Sequence, residues 1–172
     1  MLSSLAVVKS LNLDFNKIIK NFRYLKPSEG RGKIHIIKRY KKKFTLIDES
    51  YNANPLSVKK AIENFNTIKK KNSKKYLLLG DMLELGSKSD IFHKNLSKVI
   101  NNSDIDKVFI KGNHSLITYK NINKKKRGNI LQQEEDVDFT LNNNIANNDY
   151  LMIKGSNATG LNNFSKKIIK GL

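Results

Sequence analysis

An α/β fold, with a mixed, mostly parallel sheet and helices on both of its faces, is predicted by three observations. Apolar runs of strand length alternate with segments of helical period along most of the chain. Two of these runs, ending at Ile47 and Leu79, break abruptly into loops dense in polar side chains. Pro27 and Pro55 fall at boundaries between runs, where a residue without an N–H is tolerated. With 172 residues and 38% hydrophobic content, the chain can bury one ordinary core and carry a small appended piece.

In chain order, the first 27 residues read as a short helical segment and its exit. Leu2, Leu5, Ala6 and Val8 lie near helical spacing, Asp14 is placed to cap a second short helix containing Ile18, Ile19 and Phe22, and Pro27 ends the run. A connector with Gly30 and Gly32 leads to Ile34, Ile36 and Ile37, a basic turn, and Phe44 to Ile47, which predicts a hairpin or two adjacent strands. From Pro55 the alternation is regular. A helix over about Leu56 to Lys70 presents Val58, Ala61, Ile62, Phe65 and Ile68 on one face and precedes a strand at Tyr76–Leu79. A helix over about Asp90 to Ile100 precedes a strand at Val108–Ile110. Asn129 to Leu131 is a weak strand and Val137 to Ile145 a short helix. Asp149 to Ile153 is a strong strand, and Leu161 to Ile169 closes the chain as a helix. A Rossmann-like unit over residues 28–172, preceded by the helical segment 1–27, is the predicted organisation.

Composition narrows the function classes. Lys and Arg number 33 against 15 Asp and Glu, a net charge of +18, which invites a nucleic-acid reading. The excess sits in short clusters, Lys41 to Lys43, Lys69 to Lys71 and Lys124 to Lys126, at turns and helix ends, with no recognition module and no interleaved aromatic platform. No specific nucleic-acid partner is expected. The absence of Cys excludes disulfides and thiolate metal sites. No apolar run approaches the roughly 20 residues of a membrane span, and the N-terminal stretch is too short and weakly apolar for a secretory signal. A cytoplasmic protein is predicted.

Ligands of such sheets bind beyond the carboxyl ends of the strands. Four segments are therefore expected on one edge: Glu49–Asn54, Gly80–Gly86, Lys111–His114 and Lys154–Gly160. In the first, Asn54 and Pro55 have an ordinary reading as helix cap and first helical residue. That leaves Asp48, Glu49, Ser50, Tyr51 and Asn52 crowded ahead of the cap with no structural reason, and points to a ligand. The glycines of Gly80–Gly86 permit positive φ in a strand-to-helix loop, and Asp81 and Glu84 in that loop have a bland reading as solvated acids. His93, on the next helix, reads as a structural residue that pins this loop. Backbone N–H groups and Ser156 ahead of the last helix favour an anion, including a substrate carboxylate. Lys111–His114 is a weaker loop and receives no assignment.

The runs Ile47-Asp48-Glu49-Ser50-Tyr51-Asn52-Ala53-Asn54-Pro55 and Gly80-Asp81-Met82-Leu83-Glu84-Leu85-Gly86, at this separation, resemble the C-terminal domain of the Mur ligases. These are ATP-dependent enzymes of peptidoglycan synthesis, and the resemblance is to those that join D-alanyl-D-alanine to UDP-N-acetylmuramoyl-tripeptide. It implies ATP and Mg2+ as cofactors, and both compounds as substrates. Carried over residue by residue, it implies that Arg31 of the Gly30-Arg31 pair reaches an ATP phosphate, that Glu49 contacts the ribose and that Asn52 borders the nucleotide. Asp81, Glu84, Lys154 and Ser156 are the implied amino-substrate residues. Two departures stand out: Glu49 occupies a position where Asp is commoner, and Asn157 and Gly160 stand where relatives often carry a basic residue.

The same resemblance implies what these residues lack. No Gly-rich loop ending in Gly-Lys-Thr or Gly-Lys-Ser occurs in the sequence. No catalytic residue and no metal ligand is expected here, and ATP and Mg2+ are expected to be held mainly by a central domain, whose last helices residues 1–27 resemble. The chain on its own is expected to be inactive, as the C-terminal part of a ligase that is a truncated product, a fragment, or a split-gene product acting with a separately encoded central domain. The competing expectation is a stand-alone nucleotide- or dipeptide-binding module.

Overall fold

The computed structural model describes residues 2–171. Met1 and Leu172, the outer ends of the two predicted units, lie outside the described residues, as do the side chains of Leu2 and Phe22 that the periodicity placed on apolar faces.

Six strands, β1 (Lys33–Arg39), β2 (Lys42–Glu49), β3 (Lys75–Gly80), β4 (Lys107–Lys111), β5 (Arg127–Leu131) and β6 (Tyr150–Lys154), form one sheet in the order β1-β2-β6-β3-β4-β5. Only the β1–β2 pair is antiparallel. Its two-residue turn, Tyr40-Lys41, takes positive φ at both positions (55° and 56°), the turn whose twist matches that of the flanking strands. Neither residue favours that conformation, so side-chain bonds hold it: Tyr40 Oη donates to Asp138 Oδ1 at 2.5 Å and Arg39 donates to the same oxygen at 3.0 Å.

Side-chain alternation along each strand builds two cores. Ile47, Leu77, Leu79, Val108, Ile110 and Met152 point to one face and meet α3 (Pro55–Thr67) and α4 (Ser89–Asn101). Their neighbours Leu46, Tyr76, Leu78, Phe109, Leu151 and Ile153 point to the other and meet α6 (Glu134–Asn144) and α7 (Leu161–Lys170). Burial on both faces explains why β3 and β6 read as continuous apolar runs.

Helix α3 starts as its sequence dictates. Asn54 Oδ1 accepts from Ser57 N (2.8 Å), Ser57 Oγ accepts from Asn54 N (3.0 Å), and Pro55 fills the first position. It stops at Thr67, short of the predicted Lys70, because Ile68 turns to an extended conformation and packs on the core. A further helix, α5 (Ser115–Asn121), begins directly after the Lys111–His114 loop, in a stretch where the sequence predicts no element.

Ahead of the sheet, α1 (Leu2–Ser10) and α2 (Phe15–Ile19) are followed by a 3-10 turn over Lys20–Tyr24. Asp14 caps α2 as expected, accepting from Asn16 N (3.0 Å) and Lys17 N (3.3 Å). Val7, Leu11, Leu13, Phe15, Ile19 and Leu25 are all exposed in this segment.

Candidate functional site

The carboxyl ends of β2, β6, β3 and β4 lie side by side, so the four polar segments do share one edge. After β2 the chain leaves to the face of α3; after β6, its neighbour, it leaves to the face of α7. A crevice opens where adjacent strands send their connections opposite ways.

A cleft of about 460 Å³ lies there, lined by Gly30, Arg31, Asp48, Ser50 and Tyr51 on one wall and Asn157, Asn162 and Lys166 on the other. Buried Asp48 organises the first wall. Its Oδ2 accepts from Gly30 N (3.0 Å), its Oδ1 from Ser50 Oγ (2.5 Å), and its carbonyl from Gly32 N (2.8 Å). Gly30 (φ +70°) is pressed so closely on Tyr51 that a Cβ would lie 2.8 Å from the Tyr51 amide nitrogen. The clamp carries Arg31 with it, and its guanidinium lies over the Tyr51 ring, 4.2 Å from the centroid. Cation and exposed ring thus meet at the cleft, an arrangement suited to an anionic group joined to a planar one.

Glu49 and Lys154 are neighbours across the β2–β6 pair, and Lys154 Nζ lies 3.6 Å from Glu49 Oε2. Lys154 is buried, with its ammonium directed at the carbonyls of Asn52 (2.5 Å) and Glu49 (3.3 Å). Burial lowers its pKa, against the opposing pull of Glu49. The lysine therefore braces the Glu49–Asn52 segment from beneath, while Glu49 keeps a partly exposed carboxylate and Asn52 stays exposed. Ser156 is also turned inward. Its Oγ accepts from Leu83 N (3.0 Å) and donates to Ala53 O (3.3 Å), and its N–H donates to Asp81 O (3.0 Å), so one serine ties together three edge loops. The Ser156 N–H is thus already engaged, and a 3-10 turn, Asn157–Thr159, separates it from α7.

A second cleft, of about 430 Å³, lies on the far side of that turn, where Ala158 and Thr159 form part of its wall. Asp81 lines it but is largely buried, accepting from Ser115 N (2.7 Å) and so capping α5 from a distant loop. Its carboxylate packs over Gly112 (φ +130°), where a Cβ would come within 2.4 Å of it. Glu84 takes a left-handed conformation (φ 60°) and is exposed at the loop tip. His93 does pin this loop. Its Nε2 accepts from Met82 N (3.1 Å) and its Nδ1 bonds Ser89 O (2.9 Å), an arrangement that needs a neutral ring. Burial lowers the His93 pKa in keeping with this.

Tyr51, grouped by the sequence with the ligand-facing residues but given no role, lines the first cleft, and Lys111, in the loop left unassigned, lines the second; Lys166, which the sequence does not single out, lines the first. Lys166 is one lysine among many on an amphipathic helix, and nothing local marks it.

Residues 32–157 match the family described as Mur ligase, glutamate ligase domain. The chain belongs to the Mur ligase family. It is 32% identical over 129 residues to the UDP-N-acetylmuramoyl-tripeptide–D-alanyl-D-alanine ligase of Bacillus subtilis, a match covering 73% of this chain and 28% of that protein. The enzyme of the same name from Buchnera aphidicola (subspecies Baizongia pistaciae) is 28% identical over 172 residues, covering 98% of this chain and 35% of that one. The MurF ligase of Thermotoga maritima, solved in complex with ADP, superposes with a TM-score of 0.77 at 25% identity, covering 97% of this chain and 36% of that chain. The chain thus spans roughly a third of the length of these Mur ligases. No helix among the described residues is long and apolar enough to cross a membrane.

Proposed function

We propose that this chain supplies the nucleotide- and amino-substrate-binding C-terminal part of an ATP-dependent ligase that adds D-alanyl-D-alanine to UDP-N-acetylmuramoyl-tripeptide in cytoplasmic peptidoglycan precursor synthesis. The observation that carries the reading is the pair of clefts, one on either side of the Asn157–Thr159 turn, on the strand edge of a Mur ligase domain. Two substrates held a few residues apart suit a reaction that joins groups activated in sequence.

In the first cleft Arg31, held over Tyr51, offers a planar fork of donors to a phosphate, and Glu49, which lies outside the cleft's lining at the adjoining strand end beside Lys154, offers a partly exposed carboxylate to two ribose hydroxyls. Asn52 borders the same segment. ATP, when bound, supplies the phosphoryl group that activates the acceptor carboxylate. Lys154 and Ser156 act by positioning, since both are buried and engaged with the edge loops. Asp81 and Glu84 shape and border the amino-substrate side. Among the described residues no group of three His, Asp or Glu side chains is arranged to hold a metal. Mg2+ and the phosphate loop belong to a central domain, acting as partner, and residues 1–27 with their exposed apolar side chains belong structurally with it.

Titration of the isotopically labelled chain with ATP tests the assignment. Amides of Gly30 to Gly32 and Glu49 to Asn52 are expected to shift, and Arg31→Ala to weaken binding. Shifts confined to other parts of the surface refute it.

A further inference from the structure

We propose that Lys33 and His35 of β1, with Lys166 and Lys170 of α7, form a binding site for a phosphate-type oxyanion on the flank of the sheet, beside the first cleft. The inference stands apart from the ligase reading and needs neither of its substrates.

A cavity of about 220 Å³ lies between β1 and α7, lined by these four residues together with the acids Glu29 and Asp48. Strand alternation puts Lys33 and His35 on the face of β1 that carries Ile37, whose side chain joins the core under α7. Lys166 and Lys170 are about one helical turn apart, so both project from the same side of α7, with Ile169 of the cavity wall packed against that core. A basic row on the strand thus faces a basic row on the helix.

These charges are not already engaged. Among the described residues none of the three ammonium groups is ion-paired or hydrogen-bonded within the protein. The two acids do not cancel them. Asp48 is buried and both its carboxylate oxygens are taken, Oδ2 by Gly30 N (3.0 Å) and Oδ1 by Ser50 N (3.3 Å) and Ser50 Oγ (2.5 Å). Glu29 is exposed, so its carboxylate is screened by solvent. The observation that points to a ligand is His35, whose Nε2 is buried with no hydrogen-bond partner in the protein. A ring nitrogen already removed from water and left unsatisfied is costly, and an anion seated against its N–H would satisfy it.

Size and charge select the ligand class. Clefts for small organic molecules run from roughly 300 Å³ upward, so this smaller cavity suits an ion better than a nucleotide or a peptide. Cations arriving from two opposed elements suit an ion whose oxygens point in several directions, as in a phosphate, better than a planar carboxylate. Glu29, Asp48 and Lys166 line the first cleft as well, so the two cavities adjoin. The phosphoryl oxygens are therefore supplied either by free phosphate or by the tail of a molecule lying in the first cleft.

The test is a titration of the isotopically labelled chain with inorganic phosphate, at fixed pH and at an ionic strength held constant with chloride. The His35 ring signals and the Lys33 and His35 amides are expected to shift and saturate. The double substitution Lys33→Gln and Lys170→Gln should weaken binding about tenfold or more. The control pair Lys38→Gln and Lys71→Gln, which removes as much charge from exposed positions outside the cavity, should leave it unchanged. Glu29→Gln, which removes an opposing charge, should tighten it. Shifts that chloride reproduces, shifts that grow without saturating, equal weakening by the control pair, or weaker binding by Glu29→Gln overturns the proposal. Unchanged urea midpoints show that the variants are folded. ATP in parallel distinguishes the sources: ATP that moves the His35 ring and competes with phosphate identifies the tail of a bound nucleotide, and ATP that moves only Gly30 to Gly32 identifies free phosphate. Phosphate shifts without any ATP shift leave the oxyanion site standing and sink the nucleotide assignment alone.

Discussion

His93 accepts a hydrogen bond from Met82 N only while its Nε2 is unprotonated, and that bond holds the loop whose aspartate caps α5. Its folded pKa lies below the unfolded value of about 6.5. Its contribution to stability is therefore complete above about pH 6.5 and lost as pH falls from there through the folded pKa. In His93→Gln the amide oxygen accepts from Met82 N without titrating, so the fall in stability on acidification is expected to be shallower, as measured by urea unfolding at several pH values. Identical slopes would show that the ring is not the sensor. For Lys154→Met, which keeps the volume but strands the carbonyls of Glu49 and Asn52, a loss of about 1–3 kcal/mol is expected in the same assay. The presence of the lysine at the strand edge was legible in the sequence. Its inward direction was not, because it depends on carbonyls a hundred residues earlier, presented by a strand that only the fold makes adjacent.

At the scale of elements, legibility followed how local the determinants are. Helix α3 carries its own cap and first-turn proline, and β3 its own apolar run, so both were readable from a few consecutive residues. Helix α5 has no side-chain cap from its own N-terminal residue; its first N–H is satisfied by Asp81 from another loop, so nothing near Ser115 announces it. Strand β5 reads weakly because Gly128 is needed where a Cβ would come within 2.4 Å of the Phe109 ring, which leaves a glycine where strands favour branched residues. Asn54→Ala should cost about 1 kcal/mol through the lost cap, measured by thermal or urea unfolding. Gly112→Ala combines a left-handed φ with a clash against Asp81 and should cost more than about 1 kcal/mol while loosening α5, seen as faster amide exchange at Ser115 to Thr118. An unchanged exchange rate would mean that Asp81 does not hold the helix.

The whole molecule pairs a two-cored α/β unit with a helical segment that exposes Val7, Leu11, Leu13, Phe15 and Ile19. The sequence made the fold class and the ligand edge legible, because strand–helix alternation places the polar loops on one side without further information. It could not show that the edge is divided into two clefts by the Asn157–Thr159 turn, since that depends on how the turn packs. Removing residues 1–27 should leave the unfolding of the α/β unit nearly unchanged and reduce self-association, as read by calorimetry and light scattering. A large drop in midpoint would show that the segment is part of the fold's core.

The most direct test of the central claim is ATP- and D-alanyl-D-alanine-dependent phosphate release with UDP-N-acetylmuramoyl-tripeptide, for the chain alone and mixed with a polypeptide carrying the phosphate-loop domain of a Mur ligase. The account predicts no turnover by the chain alone, whose sequence has no such loop, and turnover by the mixture above that of the added polypeptide. Turnover by the chain alone, or a mixture no faster than the added polypeptide by itself, would contradict it.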